Sequence, residues 1–451
     1  MNSKGFYLVS LGCAKNEVDS TSMAALLQQA GYHSVDKPSK AGVLIVNTCG
    51  FINSAREESL EYLRTLGRRK RNSQVLVAAG CLTERYRAQV IEQVPEIDGI
   101  LGTRRWMDIL HVIQKAREHP PQPIYHYPDS PTVGRDERGI LRAVQHGSSA
   151  YLKIADGCRR PCAFCAIPLI KGTLVSRPAE VIVQETKTLE KEGVKELILI
   201  AQDTTDYGHD LGIYDGLPSL LEQILAATTI PWIRILYTFP GSVTDRLIDV
   251  MASNPRVLPY LDMPLQHAHP DTLKRMRRPA NIDWVYRTLE KIRAAIPSLA
   301  LRSTFIVGYP GETEQEFQTL LDFLTEIKFD RAGAFTFSFE SGTPSEPLGD
   351  PISQKVKNKR LERLMSLQES ISLSRNQALI GKKLEVLIEG NTDGLSVGRS
   401  YRDAPEIDGL VFIEEQAPLG EIVPVMIGGA MPHDLTGALL PFTIRANPTI
   451  Q

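Results

Sequence analysis

The residues in this chain most suited to chemistry are three cysteines that lie within eight residues of one another. Cys158, Cys162 and Cys165 occur in the stretch GCRRPCAFC with the spacing C-x3-C-x2-C. A structural zinc site uses four ligands, a disulfide uses two cysteines, and a fully ligated 4Fe-4S cluster uses four thiolates. The motif is therefore one ligand short of a closed metal site.

The missing ligand bears on which metal the motif could hold. The histidines nearest to it in sequence are His146 and His209, so a zinc site completed locally is disfavoured, although a distant histidine remains an alternative. Soft thiolates suit iron–sulfur clusters, and three of them leave one iron of a 4Fe-4S cluster with an open coordination position. A chelating amine and carboxylate can occupy that position, which places an adjacent sulfonium beside a one-electron donor.

The other three cysteines are distant in sequence but occupy equivalent positions. Cys13, Cys49 and Cys81 each end a predicted strand that is followed by an amphipathic helical stretch. The strands are 6–13, 42–49 and 74–81, and the helices are 16–30, 54–67 and 83–93. Such alternation predicts a parallel sheet, whose strands end at one ligand-binding edge. The pattern therefore predicts one shared site, the alternative being three buried small hydrophobic residues.

Length and composition are typical of a globular protein of about three domains. The 451 residues include 51 Lys and Arg and 53 Asp and Glu, a formal charge of -2 that gives no overall attraction to polyanions. The N-terminus lacks a secretory signal, and no apolar run approaches the about 20 residues that cross a bilayer. We therefore expect a cytoplasmic protein without a membrane partner, in which clustered cysteines indicate metal binding or catalysis.

The predicted fold class is α/β, with five regions along the chain. They are an N-terminal parallel-sheet domain (1–117), a proline-rich linker (118–148), a partial barrel (149–352), a charged connecting helix (353–379) and a small β-barrel similar to oligonucleotide-binding barrels (380–451). The predicted strands of the partial barrel are 150–155, 196–203, 232–239, 258–265, 301–308 and 332–339. The predicted helices between them are 178–192, 217–227, 243–253, 270–295 and 313–327. The GCRRPCAFC loop follows the first strand and so lies on the expected active face.

The charge of the small C-terminal barrel favours a protein partner. Residues 381–451 contain five basic and ten acidic residues. A phosphate backbone repels such a surface. The barrel is therefore expected to face a basic protein rather than RNA.

The motifs resemble those of the radical S-adenosylmethionine superfamily and, within it, the methylthiotransferases of the RimO type. The superfamily resemblance rests on C-x3-C-x2-C after the first barrel strand, with Phe164 before the last cysteine. The narrower resemblance covers essentially the whole chain. It rests on SLGCAKNEVDS, VNTCGFINSAREES, AAGCLTERY, YLKIADGCRRPCAFCAIPLIKGTLVSRP, LIAQDTTDYGHDLG, YLDMPLQH, STFIVGYPGET and DAPEIDG. It implies a methylthiotransferase domain, a (βα)6 radical domain and a C-terminal TRAM barrel.

The resemblance also implies the cofactors and the reaction. Cys158, Cys162 and Cys165 would hold a 4Fe-4S cluster that binds S-adenosylmethionine and cleaves it to a 5′-deoxyadenosyl radical. The triad of Cys13, Cys49 and Cys81 would hold a second, auxiliary 4Fe-4S cluster that carries the sulfur. The radical would take a hydrogen from the β-carbon of an aspartate of small-subunit ribosomal protein S-twelve, which then receives the methylthio group.

Several polar or aromatic residues near the barrel strand ends are further candidates for binding S-adenosylmethionine or substrate. They are Phe164, Gln202, Asp203, Thr204, Thr304 and Glu312. The alternative for them is ordinary hydrogen bonding or packing at strand ends. His267 and His269 could face substrate, but lone histidines in loops are more often structural or solvated. The basic runs 68–71 and 274–278 are expected to be solvated at helix ends, the alternative being that they steer a polyanion such as ribosomal RNA.

The expected partners are ribosomal protein S-twelve and an electron donor such as flavodoxin or ferredoxin, and the chain is expected to be a monomer. The nearest alternative is the sister activity, methylthiolation of an adenosine in transfer RNA. An alternative of another class is a non-catalytic, metal-stabilised interaction module, which would bind zinc and would not cleave S-adenosylmethionine.

Overall fold

The computed structural model describes residues 4–128 and 138–442. Its N-terminal region is a parallel sheet with helices on both faces. Its elements are β1 (Gly5–Ser10), α1 (Ala14–Gln29), β2 (His33–Ser34), β3 (Val43–Thr48), α2 (Asn53–Arg69), β4 (Val75–Gly80), α3 (Cys81–Tyr86), α4 (Ala88–Gln93), β5 (Gly99–Gly102), α5 (Ile109–Ala116) and β6 (Ile124–His126). The strand order is β2-β1-β3-β4-β5-β6, and every pairing is parallel. The predicted parallel sheet is confirmed.

Alternate residues of the central strands face two separate cores. In β3, Val43 and Ile45 pack with α1 and α5, whereas Leu44 and Val46 pack with α2, α3 and α4. Strands covered on both faces are apolar along their whole length, and β3 and β4 are buried throughout. This arrangement fixes the register of each strand, and with it the position of the cysteine that follows.

The central region contains six parallel strands that curve into a partial barrel. Its elements are β7 (Ala143–His146), β8 (Ser149–Lys153), β9 (Ala155–Asp156), α6 (Ile167–Lys171), β10 (Val175–Ser176), α7 (Ala179–Lys191), β11 (Glu196–Ile200), α8 (Gly216–Ala227), β12 (Trp232–Ile235), α9 (Asp245–Ser253), β13 (Tyr260–Asp262), α10 (Pro270–Arg275), α11 (Ile282–Ala295), β14 (Ala300–Val307), α12 (Glu314–Ile327) and β15 (Arg331–Thr336). The ladders are β7-β8-β11-β12 and β13-β14-β15, with β7 antiparallel to β8. An isolated parallel bridge between Ile233 and Val257 joins the two ladders.

The C-terminal region is a long helix followed by a closed five-stranded barrel. Its elements are α13 (Gln354–Gln377), β16 (Lys383–Thr392), β17 (Leu395–Ser400), β18 (Val411–Ile413), β19 (Ile422–Ala430) and β20 (Leu435–Leu439), and the barrel order is β16-β17-β18-β20-β19. The predicted helix and barrel are confirmed for the part of the chain that is described. The predicted stretch from 443 to 451 lies outside the described residues.

The small barrel is anchored at the amino ends of the partial-barrel strands. Arg399 donates to Ser149 and Glu196, the first residues of β8 and β11. Asp403 accepts from Arg331, the first residue of β15, at 2.6 Å. The carboxyl ends of the same strands, on the opposite side, are left for the site.

Three expectations need correction. The stretch 118–148 is not wholly a linker, because β6 adds a sixth strand to the N-terminal sheet and β7 pairs with β8; residues 129–137 lie outside the described part. The single helix expected at 83–93 is two helices, since Arg87 has a left-handed φ of 40°. The helix expected at about 270–295 is also interrupted, because Arg277 has a φ of 53° and Pro279 supplies no backbone N–H. Among the helices of residues 4–128 and 138–442, none has the length and apolar character needed to cross a membrane.

Candidate functional site

The fold brings the two cysteine triads to one cavity. Cys49 directly follows β3, Cys81 directly follows β4, and Cys13 lies three residues after β1, at the carboxyl edge of the N-terminal sheet. The GCRRPCAFC loop follows β9 and approaches from the partial barrel. All six cysteines line a cavity of about 480 Å³. The fold therefore brings the three distant cysteines together, and the second triad lines the same space.

The loop that carries Cys158 is closely packed against a neighbouring turn. Gly157 has a φ of 74°, and a Cβ there would lie 1.9 Å from the Thr173 carbonyl oxygen, so only glycine fits. The Cys158 backbone N–H also donates to the Gly172 carbonyl at 3.0 Å. The chain is thus fixed at the start of the motif, which limits where the three thiols can lie.

Hydrogen bonds also hold the N-terminal triad. Ser59 of α2 accepts from the Cys49 N–H at 3.0 Å and donates to its carbonyl at 2.9 Å. The side chains of Asn16 and Asn47 each donate to the other residue's backbone carbonyl, which ties the start of α1 to the end of β3. Cys13 and Cys49 are thus positioned by residues close to them in sequence as well as by the sheet.

The thiols of the GCRRPCAFC loop receive hydrogen bonds that suit metal-bound sulfur. The Arg160 N–H donates to Cys158 Sγ at 3.5 Å, and the Ile167 N–H donates to Cys165 Sγ at 3.4 Å. Arg278 Nη1 lies 3.6 Å from Cys162 Sγ. Donors to the sulfurs stabilise thiolates and tune the reduction potential of iron–sulfur clusters. The donor set therefore fits a cluster.

Burial keeps most of these thiols protonated in the absence of a metal. It raises the pKa of Cys81 and of Cys165 to about 12 and that of Cys158 to about 11, and it also raises the pKa of Cys49. Because metals bind the thiolate, loading of the site must release protons.

The separation of the sulfurs bears on whether either triad is arranged around a single ion. In tetrahedral zinc sites with Zn–S bonds of about 2.3 Å, sulfurs lie about 3.8 Å apart. Among residues 4–128 and 138–442, the one trio of potential ligands within 4.8 Å of one another is His269, Asp271 and Glu316, which includes no cysteine. Neither triad, as the described residues place it, therefore has the close spacing of a single tetrahedral zinc site.

Four of the six further candidates line the cavity or the cleft beside it. Gln202 and Asp203 line the cavity, Thr304 lines the cleft, and Phe164 lines both. Gln202 Oε1 is buried and has no hydrogen-bond partner in the described protein, so it is free to accept from a bound cofactor. Asp203 pairs with Arg160 at 2.6 Å, and burial raises the pKa of Asp203 despite that pairing.

The other two candidates lie behind the cavity wall. Thr204 Oγ1 donates to the Leu236 carbonyl at 2.8 Å, so it supports the end of β12. Glu312 is enclosed by Arg360 at 2.9 Å and by His267 at 3.2 Å. His267 is buried in this network, as expected for a structural histidine.

The cleft beside the cavity has a volume of about 890 Å³ and separates the N-terminal region from the partial barrel. It shares Phe51, Phe164, Gln266 and Phe335 with the cavity. Phe335 is 59% exposed and Phe51 is 36% exposed, so aromatic side chains line an opening large enough for a peptide segment.

Several cationic and aromatic residues of the cavity were not singled out from the sequence. They are Lys15, Arg160, Lys171, Tyr237, Phe239 and Arg278. Arg278 corrects the expectation that the run 274–278 is solvated, because its guanidinium stacks 4.3 Å from the Phe239 ring centroid. In the sequence, Lys15 and Arg160 are indicated as cavity residues only by their position within two residues of a cysteine. Tyr237 and Arg278 reach the cavity only through tertiary folding.

A buried network of ion pairs holds α1 of the N-terminal region against the partial barrel beside the cavity. Asp19 of α1 lies 2.5 Å from both Arg142 Nη2 and Lys153 Nζ, and 2.8 Å from Lys171 Nζ of α6. Burial alone would raise the pKa of Asp19, but the three cations outweigh it and hold that pKa well below its usual range. Arg85 and Glu340 form a second connection at 2.7 Å.

Three family models match the chain. The Radical SAM superfamily matches residues 152–324, the Uncharacterized protein family UPF0004 matches residues 5–102, and the TRAM domain matches residues 380–440. The matched ranges correspond to the three folded regions described above.

Full-length relatives decide the family. The ribosomal protein uS12 methylthiotransferase RimO of Chloroflexus aurantiacus is 46% identical over 453 residues, covering 96% of this chain and 99% of that protein. The protein of the same name from a Thermoanaerobacter species is 43% identical, covering 96% and 99%. The chain belongs to the RimO family. Membership implies an S-adenosylmethionine-dependent radical enzyme with a 4Fe-4S cluster.

Solved structures support the fold of this RimO family member. The radical S-adenosylmethionine methyltransferase TsrM from Kitasatospora setae matches with a TM-score of 0.58 at 13% identity, covering 87% of this chain and 80% of that chain. The likeness extends beyond the barrel, so the predicted α/β architecture is confirmed.

Proposed function

We propose that the protein is a radical S-adenosylmethionine methylthiotransferase that adds a methylthio group to the β-carbon of an aspartate of ribosomal protein uS12. The observation that carries this proposal is the single cavity lined by all six cysteines. A reaction that joins a carbon radical to sulfur needs the group that generates the radical and the group that donates the sulfur side by side, because the carbon radical must form next to its sulfur donor. The family supports the choice of substrate.

Each triad has a separate role in this proposal. Cys158, Cys162 and Cys165 would hold the cluster that binds S-adenosylmethionine, and Cys13, Cys49 and Cys81 would hold an auxiliary 4Fe-4S cluster. When bound, these groups supply the radical and sulfur chemistry. The protein would position them and exclude water, which suits the mostly apolar walls formed by residues such as Phe51, Phe239 and Phe335.

The polar residues of the cavity would orient S-adenosylmethionine. Gln202 Oε1 is an unused acceptor for a hydroxyl or an amino group. Arg160 is held in place by Asp203 at 2.6 Å and by Ser242 at 2.7 Å, and it stacks on Phe239. Phe164 borders both the cavity and the cleft, where it would pack against an apolar part of the ligand.

The C-terminal barrel favours a basic protein substrate over transfer RNA. Arg399 and Arg402 are buried against the partial barrel, where they bind Glu196 and Asp330. The exposed acidic residues of the barrel include Glu385, Asp393, Glu406, Glu414 and Glu415. Because these ion pairs neutralise two of the barrel's few basic residues, the exposed surface of the barrel is mainly acidic. Such a surface would repel phosphates and attract a basic ribosomal protein. We further propose that the chain acts as a monomer in the cytoplasm with a flavodoxin or ferredoxin as electron donor.

The test is anaerobic reconstitution with iron and sulfide, followed by incubation with S-adenosylmethionine, a reductant and either uS12 or transfer RNA. We expect a methylthio mass gain on an aspartate of uS12. Modification of transfer RNA alone would contradict the proposal. Stoichiometric zinc without cleavage of S-adenosylmethionine would support the interaction-module alternative.

Two cysteine variants separate the triads. Cys162→Ala should abolish formation of 5′-deoxyadenosine, since its cluster is the site of cleavage. Cys49→Ala should retain part of that cleavage but transfer no sulfur. Full methylthio transfer by Cys49→Ala would refute the auxiliary role of the N-terminal triad.

A further inference from the structure

Lys15 is a cavity residue whose charge has no anionic partner within the described residues. It follows Cys13 by two residues and lies in the first turn of α1, and its side chain lines the cavity. The N-terminal end of a helix carries partial positive charge, so a lysine there is electrostatically unfavourable. Glu17, in the same turn, is engaged by His146 at 3.1 Å. A lysine at this position therefore calls for a compensating interaction.

Each of the other cations of the cavity has a hydrogen-bond or ion-pair partner, whereas Lys15 has neither within the described residues. Lys171 binds Asp19 at 2.8 Å and Thr103 at 2.6 Å, and Arg160 binds Asp203. Arg278 donates to the Pro264 carbonyl. Within the part of the chain that the structure describes, Lys15 Nζ makes no hydrogen bond or ion pair and rests 3.2 Å from the centroid of the Tyr237 ring.

Two carboxylates that contact cavity residues are already committed to other groups. Asp262 is bonded to the Tyr237 N–H, and Asp156 pairs with Lys171. Asp262 Oδ1 accepts from Arg302 at 2.8 Å, and its Oδ2 accepts from the Tyr237 N–H at 3.0 Å. Asp156 lies among Arg142, Lys153 and Lys171. The ammonium of Lys15 is thus left to face the cavity.

The aromatic support under Lys15 is held in a costly conformation. Tyr237 has a φ of 61°, which is a strained backbone conformation for a non-glycine residue. Its carbonyl accepts from the Thr204 N–H at 3.0 Å, and its own N–H is held by Asp262. These bonds fix the ring where it contacts the ammonium. Such strain is retained where the surrounding structure imposes it, often at a binding site.

We propose that Lys15 Nζ binds the side-chain carboxylate of the substrate aspartate and so presents its β-carbon between the two triads. This inference rests on the proposed function and names the residue that recognises the acid. The β-carbon is bonded directly to the carboxylate carbon, so a cation that fixes the carboxylate also fixes the position of the reacting carbon. A desolvated carboxylate would in turn be the partner that Lys15 lacks, and an uncharged amide would not replace it.

Binding without turnover tests the proposal. The cluster-loaded protein, without reductant or S-adenosylmethionine, is titrated with fluorescent uS12 carrying either the target aspartate or an asparagine in its place. We expect Lys15→Met to weaken binding of the aspartate form about tenfold or more, because a charge-assisted hydrogen bond is lost. The asparagine form should bind wild type about as weakly as it binds Lys15→Met. The losses of binding free energy caused by the two changes should therefore not add.

Controls separate recognition of the substrate from effects on the clusters. Lys187→Met removes an exposed lysine of α7 and should leave both affinities unchanged. Iron content and cluster EPR spectra are compared between Lys15→Met and wild type to detect any effect on the clusters. Lys15→Arg keeps the positive charge and should recover part of the affinity for the aspartate form. Equal affinity of wild type for both substrate forms, or additive losses, would overturn the proposal. If wild type fails to modify uS12 at all, the proposed function fails as well; if wild type modifies uS12 and Lys15→Met binds it normally, only the role of Lys15 fails.

Discussion

Gly12 controls how closely the loop after β1 approaches Cys49. It has a φ of 93°, and a Cβ there would lie 2.8 Å from Cys49 Cβ and 2.9 Å from Cys49 Sγ. Contacts this short force one of the two groups to move. The geometry of the N-terminal triad therefore depends on a residue that has no side chain to bind anything.

Gly12→Ala should selectively impair the N-terminal triad. The methyl group would displace Cys49, so we expect iron content after reconstitution to fall from about eight to about four atoms per chain, with cleavage of S-adenosylmethionine retained. The matched control is Gly193→Ala, which has a similar φ of 86° but nothing within 4 Å of the new Cβ. Iron analysis and EPR measure the effect. Equal loss of iron in both variants would show that backbone strain, and not contact with Cys49, is responsible.

The sequence predicts metal ligands better than it predicts the residues around them. The six cysteines are found because their spacing and their position after strands carry the signal. Lys15 and Arg278 were not identified, since a lysine beside a motif and an arginine in the basic run 274–278 are ordinary surface residues unless tertiary packing encloses them. Thr204 and Glu312 show the opposite case: both follow barrel strands in the sequence, but their side chains are bonded within internal networks.

At the scale of elements, hydrophobic patterning predicts strands well and helix continuity less well. The apolar runs of β3, β4, β8 and β11 are unambiguous because both faces of each strand are covered. The breaks at Arg87 and Arg277 depend on local left-handed conformations that a helical pattern does not reveal. In the predicted linker, β6 and β7 were missed because each has three or four residues and gains its stability from a neighbouring strand.

α1 connects the N-terminal sheet to the partial barrel through Asp19. Asp19→Asn would leave Arg142, Lys153 and Lys171 buried with less negative charge, and unpaired buried charges are strongly destabilising. We expect the free energy of unfolding to fall by about 3–5 kcal/mol, measured by urea denaturation of the apoprotein. Asp36→Asn, which removes an exposed pair with Lys40, should have no measurable effect. A small effect of Asp19→Asn would mean that the three cations find other partners.

At the scale of the whole molecule, the same partial barrel binds cofactors at one end and the small C-terminal barrel at the other. The interface is centred on Glu196, which lies 2.7 Å from Arg234 Nε and 2.6 Å from Arg399 Nη2. All three side chains are at most 1% exposed. Burial alone would raise the pKa of Glu196, but the two arginines reverse this and lower it to about 2.

The docking of the C-terminal barrel should therefore be sensitive to strong acid and to Glu196→Gln. Because the folded pKa lies below the ordinary value of 4.5, the carboxylate contributes stability that is complete above that pH and is lost as the pH falls towards 2. Glu196→Gln should weaken docking already at neutral pH, since it leaves two buried arginines without their carboxylate. We expect faster hydrogen exchange in β16 and β17, with iron content unchanged because the cysteines lie at the opposite end of the barrel. Glu421→Gln, which removes a partly exposed partner of Lys195, is the control and should preserve protection. Loss of iron together with loss of protection in Glu196→Gln would show that the two ends of the barrel are coupled, contrary to this expectation.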